Sequence, residues 1–176
     1  DAINGGDGND QLWGGADKDK LTGGDGDDFL VGGSGVDKLN GGLGADTLFG
    51  NDGDDKITAG GGGDVVCGGA GKDQMTAGDG VDTFIFATGD TGLGGLRDII
   101  SDFNVVQDQI DLRGYGDLSY AGSAFTSHAG EVIITNFAGG NLVQIDLDGD
   151  GAADEAITVL TSDHGHGLNG GNLIIV

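Results

Sequence analysis

Aspartate recurs every nine residues along the first half of the chain, at Asp1, Asp10, Asp19, Asp28, Asp37, Asp46, Asp55, Asp64, Asp73 and Asp82. Two residues after each stands a large apolar side chain: Ile3, Leu12, Leu21, Leu30, Leu39, Leu48, Ile57, Val66, Met75 and Phe84. Carboxylates at fixed spacing among glycines suit one chemistry above others, the capture of a hard divalent cation by carboxylate and backbone carbonyl oxygens, the ligand set that Ca2+ prefers. Of 30 acidic residues only Glu131 and Glu155 are glutamate. Solubility alone would not select so one-sidedly, whereas short Asp side chains suit tight turns and metal loops.

The elements that must position these groups follow from the same period. From Gly5 the chain divides without gaps into nine nonapeptides: GGDGNDQLW, GGADKDKLT, GGDGDDFLV, GGSGVDKLN, GGLGADTLF, GNDGDDKIT, AGGGGDVVC, GGAGKDQMT and AGDGVDTFI. Asp1–Asn4 fills positions six to nine of a further repeat, which predicts a segment preceding it. Glycines at positions one, two and four admit backbone angles closed to other residues and let carbonyls turn toward a common point. Asp at position six adds a carboxylate to that ring. Positions seven to nine make a very short strand whose middle side chain faces one way and its neighbours the other.

The pattern G-G-x-G-x-D-x-U-x resembles the RTX, or hemolysin-type, calcium-binding repeat. That resemblance implies that two nonapeptides make one turn of a flattened right-handed coil. The expected fold is therefore all-β, a right-handed parallel β-roll (a two-sheet solenoid) over residues 1–85, followed by an antiparallel β capping region over 86–176. The expected metal ligands are the carboxylates of Asp10, Asp19, Asp28, Asp37, Asp46, Asp55, Asp64, Asp73 and Asp82. With them go the loop glycines Gly6, Gly8, Gly15, Gly23, Gly24, Gly26, Gly32, Gly33, Gly35, Gly41, Gly42, Gly44, Gly50, Gly53, Gly60, Gly62, Gly68, Gly69 and Gly71.

Two internal ladders follow, each stepping by 18 residues: Ile3, Leu21, Leu39, Ile57 and Met75 in one, Leu12, Leu30, Leu48, Val66 and Phe84 in the other. Asp residues 18 apart then lie about 4.8 Å apart along the stack, where two carboxylates repel by about 0.9 kcal/mol even in water. A cation between them reverses the sign. Loop pairs one turn apart provide about seven sites, enough to bring the formal charge from −23 to about −9. At tenfold saturation each site contributes about 1.4 kcal/mol, or about 10 in all, comparable to the whole stability of a domain. The repeat region is thus expected to fold only with Ca2+. Departures from the pattern are Asp17 at position four, Asn51 at position two, and Ala59 and Ala77 at position one. Asn tolerates the left-handed conformation, and Asp17 affects only the site its own loop builds.

After Ile85 the period is lost and Phe86, Phe103, Tyr115, Tyr120, Phe125 and Phe137 appear. The segments Glu131–Thr135, Leu142–Asp146 and Ala156–Leu160 read as strands separated by Gly, Asn and Asp turns. A solenoid needs an atypical terminal unit, and these strands are expected to close the roll. Arg97-Asp98-Ile99-Ile100-Ser101-Asp102-Phe103 followed by Asp108-Gln109-Ile110-Asp111-Leu112 resembles the segment after the repeats in serralysin-type metalloproteases and in alginate epimerases and other type I-secreted exoproteins. The stretch Ile145–Gly151 and the aliphatic end Leu173–Val176 also resemble the serralysin pattern. That resemblance implies an uncleaved export signal at the extreme C-terminus, where this chain has Asn172 before the apolar tail.

Further candidates are weaker. Asp146, Asp148 and Asp150 followed by Gly151, with Asp154 beyond, match the start of an EF-hand-like loop, but Ile157 stands where a bidentate Glu is required. One more Ca2+ near Asp146–Asp154 competes there with a plain acidic hairpin. His164-Gly165-His166 reads as a solvated Gly-rich loop, since no HExxH helix accompanies it. No G-x-S-x-G elbow is present. Cys67 and Trp13, both at position nine, belong on the outer face as bystanders rather than as a nucleophile or a sugar platform.

Seven Lys and Arg supply no basic stripe for nucleic acid, and no apolar run reaches the roughly 20 residues of a membrane span. A single cysteine leaves a metal as the natural staple for an extracellular module. The expected function is that of a non-catalytic, monomeric, secreted module. It would bind Ca2+, fold outside the cell, and serve the type I secretion apparatus and an N-terminal catalytic or adhesive domain, as the resemblance implies. The alternative is an extracellular adhesion or polysaccharide-binding module.

Overall fold

In a computed structural model of the chain, residues 1–92, 97–137, 140–161, 168 and 172–174 are described. Ten strands come from the repeats: β1 (Ala2–Asp7), β2 (Gln11–Ala16), β3 (Lys20–Asp25), β4 (Phe29–Ser34), β5 (Lys38–Leu43), β6 (Thr47–Asp52), β7 (Lys56–Gly62), β8 (Val65–Ala70), β9 (Gln74–Gly80) and β10 (Thr83–Ala87). Seven follow: β11 (Ile99–Phe103), β12 (Gln109–Gly114), β13 (Ser119–Gly122), β14 (Glu131–Phe137), β15 (Gly140–Asp146), β16 (Glu155–Thr161) and β17 (Leu173–Ile174). Odd-numbered repeat strands stack in parallel in one sheet and even-numbered ones in the other. The fold is the expected all-β roll with a capping region.

Position eight drives this arrangement. Its side chain faces inward while positions seven and nine face out, so each strand buries one apolar side chain in the space between the sheets. Register holds residue against residue: Ile3 pairs with Leu21, Leu21 with Leu39, Leu39 with Ile57 and Ile57 with Met75. On the opposite sheet Leu12, Leu30, Leu48, Val66 and Phe84 pair in the same way. Leu21, Leu30, Leu48, Ile57 and Val66 are completely buried. Both ladders are those expected from the spacing.

Close stacking explains the glycines. At Gly24 φ is 128°, and an added Cβ would overlap the carbonyl oxygen of Gly6 in the preceding turn. Only glycine meets both conditions. Asn51 and Asp17 each take φ of 73°, the left-handed conformation that short polar side chains tolerate.

Loss of the sequence period after Ile85 does not end the stacking. β11 lies parallel to β9, pairing Ile100 with Met75, and β12 lies parallel to β10, pairing Ile110 with Phe84. The rings of Phe84 and Phe103 meet at 6.1 Å, and Phe86 is buried with them, so the core is bulkiest at this end. β16 then adds in parallel to β11, with antiparallel β15 and β14 beyond it and β13 parallel to β14 at the sheet edge. On the other sheet β17 lies parallel to β12, with Leu173 beside Ile110.

The two outer faces differ. Even-numbered strands expose an apolar row in which Trp13 tilts over Phe29 at 6.1 Å and Phe29 over Phe49 at 5.7 Å. Odd-numbered strands expose Lys20, Lys38 and Lys56 in register at position seven. Stacking therefore builds a short basic row where composition led us to expect no basic stripe. The signal for it, lysine repeating every 18 residues, was present in the sequence.

Candidate metal centres

Each position-six aspartate enters the bend before its strand and turns its side chain inward. From Asp19 to Asp82 these carboxylates are buried, none more than 3% exposed. Their two oxygens have different fates. Oδ1 accepts a hydrogen bond from the backbone amide of the aspartate one turn earlier: Asp10 donates to Asp28 at 2.7 Å, Asp37 to Asp55 at 2.8 Å and Asp64 to Asp82 at 2.9 Å. The amino group of Asp1 meets Asp19 in the same manner at 2.5 Å. Stacked carboxylates thus do not simply face one another, as spacing alone suggested; one oxygen of each ties two turns together.

The second oxygen has no such partner. Oδ2 of Asp10, Asp19, Asp28, Asp37, Asp46, Asp55, Asp64, Asp73, Asp82 and Asp98 is buried without a hydrogen bond. A Cβ placed on Gly14 would lie 2.6 Å from both Asp19 Oδ2 and the carbonyl oxygen of Gly32. On Gly32 it would lie 2.6 Å from Asp37 Oδ2 and 2.9 Å from the carbonyl oxygen of Gly50. In each turn a carboxylate oxygen and a carbonyl oxygen of the next turn therefore converge on a point that glycine keeps open, close to the 2.3–2.6 Å at which oxygen ligates Ca2+. The residues fit a hard cation. At Ala59 and Ala77 the corresponding position carries a buried methyl instead.

Electrostatics agree with the geometry. Burial raises the carboxyls of Asp55 and Asp64 to about 6 and that of Asp73 to about 7, and neighbouring carboxylates push in the same direction. Asp46 and Asp82 are raised as well, again chiefly by burial. Groups that resist ionising where they are buried, yet carry an unused oxygen, are made stable as anions by a cation.

One member of the series falls outside the nine repeats. The amide of Asp73 donates to Asp98 Oδ1 at 2.7 Å, Asp98 Oδ2 is orphaned, and burial pushes its carboxyl up to about 8. Sequence reading singled out Asp98-Ile99-Ile100 as a resemblance without assigning it a ligand, although Asp-x-Ile is the same D-x-U signal. Asp108 occupies the equivalent place on the other sheet, but there the amide of Asn104 donates to Oδ2 at 2.8 Å, so both oxygens are engaged. Next in register after Asp98 comes Ile157. The amide of Asp98 instead donates to the hydroxyl of Thr91, which donates to the carbonyl of Ala156.

The Asp146–Glu155 connection is a hairpin between β15 and β16. Carboxylate oxygens of Asp146, Asp148 and Asp154 gather within 4.8 Å of one another, while Asp150 accepts the amide of Ala152. Asp146 is fully buried and takes amides of Gly149 and Gly151 on its two oxygens. Both glutamates serve structure: Glu131 accepts the amide and hydroxyl of Thr126, and Glu155 accepts the Tyr115 hydroxyl at 2.6 Å. Cys67 is partly buried, its thiol pushed up to about 11 by burial, which suits a bystander. Trp13 is exposed on the outer face. His164 and His166 lie outside the described residues. No helix among the described residues is long and apolar enough to cross a membrane.

The family model for the RTX calcium-binding nonapeptide repeat matches residues 1–30, 31–66, 49–84 and 62–93, together more than half of the chain. The chain belongs to the RTX calcium-binding repeat family. Repeat domains of this family are non-catalytic scaffolds that bind calcium, and membership implies an extracellular context. Metallopeptidase AprA of Pseudomonas marginalis is 37% identical to the RTX chain over 82 residues, 44% of this chain and 17% of that protein. The chain thus spans about a sixth of that relative. The AlgE6R2 subunit of the Azotobacter vinelandii mannuronan C5-epimerase shares the fold, with a TM-score of 0.50 and 24% identity over 99% of this chain and 92% of its own. The AlgE6R3 subunit of the same epimerase has a TM-score of 0.45 and 25% identity over 98% of this chain and 81% of its own.

Proposed function

We propose that this RTX chain is a folding module whose roll forms outside the cell when Ca2+ occupies the inward-facing Asp sites, and that it supports the export and stability of a larger secreted protein. The row of buried, unpartnered Oδ2 atoms carries this reading. Ionised carboxylates taken out of water without a partner are costly enough to oppose folding. Asp10, Asp19, Asp28, Asp37, Asp46, Asp55, Asp64, Asp73 and Asp82, with glycine carbonyls of the adjoining turns, would hold about seven ions. Bound there, Ca2+ supplies the positive charge that makes those anions stable, so binding free energy becomes folding free energy.

In a low-calcium cytosol the chain would remain unfolded and competent for a type I channel. Millimolar Ca2+ outside would then drive folding, the affinity range of extracellular modules. Similarity to a metallopeptidase over the repeats favours an exoenzyme as the parent, with a catalytic domain N-terminal to the roll. A circular dichroism titration tests the core of this reading: strand signal should appear cooperatively with Ca2+ and vanish with chelator, and a signal indifferent to chelation overturns it. Export is tested by a fusion lacking residues 173–176, whose undiminished secretion would count against the secretory role.

A further inference from the structure

Lys20, Lys38 and Lys56 occupy position seven of β3, β5 and β7 and stack in direct register on the outer face. All three are exposed, and none forms an ion pair among the described residues. Like charges directly opposite one another destabilise a sheet. Position nine beside them carries Thr22, Asn40 and Thr58, and a groove of about 420 Å³ opens between the rows. The outward positions seven and nine of β1, β3, β5, β7, β9 and β11 hold no acidic residue and no aromatic one. In a chain with 30 acids and seven bases, three of the bases thus share one acid-free face.

We propose that this face is a binding groove for a linear acidic polysaccharide, one that carries a carboxylate on each sugar. The lysine row follows the roll axis with one ammonium per strand spacing, about 4.8 Å. The hydroxyl and amide row runs parallel to it, two residues along each strand, about 7 Å away. A chain laid along the axis meets charge on one side and neutral hydrogen-bonding groups on the other, as a polymer with both carboxylates and hydroxyls requires. A single-stranded nucleic acid would need aromatic platforms for its bases, which this face lacks. A planar anionic membrane would bring the acidic loops at both edges of the sheet against its own charge.

The test uses the Ca2+-loaded chain and a short linear polyuronate oligomer, followed by amide chemical shifts. Shifts are expected at Lys20, Thr22, Lys38, Asn40, Lys56 and Thr58, with binding that weakens as salt rises. The variant carrying Lys20→Gln, Lys38→Gln and Lys56→Gln should lose at least about tenfold in affinity, and the corresponding arginine variant should keep it. Absence of binding, shifts confined to the Asp loops, or unchanged affinity in the glutamine variant each overturn the assignment. Equal affinity for a neutral oligosaccharide or for an oligonucleotide of the same length does so too. Should the glutamine variant fail to fold, the shift map of the unaltered chain decides alone. Ca2+-induced folding, read separately by circular dichroism, keeps a failure here distinct from a failure of the calcium reading.

Discussion

At the scale of single residues, the two oxygens of each inward aspartate separate scaffold from ligand. Asp37→Asn preserves the acceptor for the amide of Asp19, because the Asn carbonyl oxygen can stand where Oδ1 stands. It places an NH2 donor where Oδ2 faces the cation. Thermal melting should then show a chain no less stable than the parent in chelator, since a buried charge is gone, but less stable in excess Ca2+. A loss of equal size in both conditions would mean that the carboxylate serves only as a tie between turns. Gly14→Ala probes the same point from the other side. Its methyl would lie 2.6 Å from Asp19 Oδ2 and from the Gly32 carbonyl, and overpacking of this kind costs about 1–3 kcal/mol. Calorimetry should report weaker Ca2+ uptake, while circular dichroism at saturating Ca2+ should still show the roll.

At the scale of the elements, the nonapeptide pattern made strand placement legible because position eight can face only one way in so short a strand. Leu21, Leu39 and Ile57 meet in register as their 18-residue spacing requires. The fate of Oδ1 was not legible, since a backbone amide leaves no signature in the residue pattern. The continuation through Asp98 and Asp108 was only partly so. Intervals of 25 and 26 residues replace the 18 of the repeats, from Asp73 to Asp98 and from Asp82 to Asp108, and hide the period while the local Asp-x-Ile survives. These two residues should behave differently. Asp98→Asn is expected to lower the Ca2+ count per chain by one in native mass spectrometry, whereas Asp108→Asn should leave the count unchanged, because its oxygens are already hydrogen-bonded. An unchanged count in Asp98→Asn would show that the orphaned oxygen holds no cation.

For the whole molecule, the raised carboxyls make stability depend on pH in a direction that Ca2+ reverses. Asp55, Asp64 and Asp108 rise to about 6, Asp73 to about 7 and Asp98 to about 8, from an ordinary value of 3.8, chiefly through burial. Between those limits the folded chain holds more protons than the unfolded one, so stability falls as pH rises through 6 to 8. In chelator, denaturation followed by circular dichroism should therefore find more folded chain near pH 5 than near pH 8. With Ca2+ the order should invert, and titration calorimetry near pH 6 in buffers of different ionisation enthalpy should detect proton release on binding. An apo chain equally unfolded at both pH values would show that protons cannot substitute for the ion.

The bonds from amide to carboxylate also give the stack a polarity. Every amide in the series is held by an aspartate from the turn that follows it in sequence, and the last, on Asp98, is held by Thr91. A turn joining on the N-terminal side finds its acceptor already in place, whereas one joining on the C-terminal side must bring its own. Ordering should accordingly advance from the capped end like a seam sewn in one direction, leaving deuterium uptake fastest in β1 and β2 and slowest near β11.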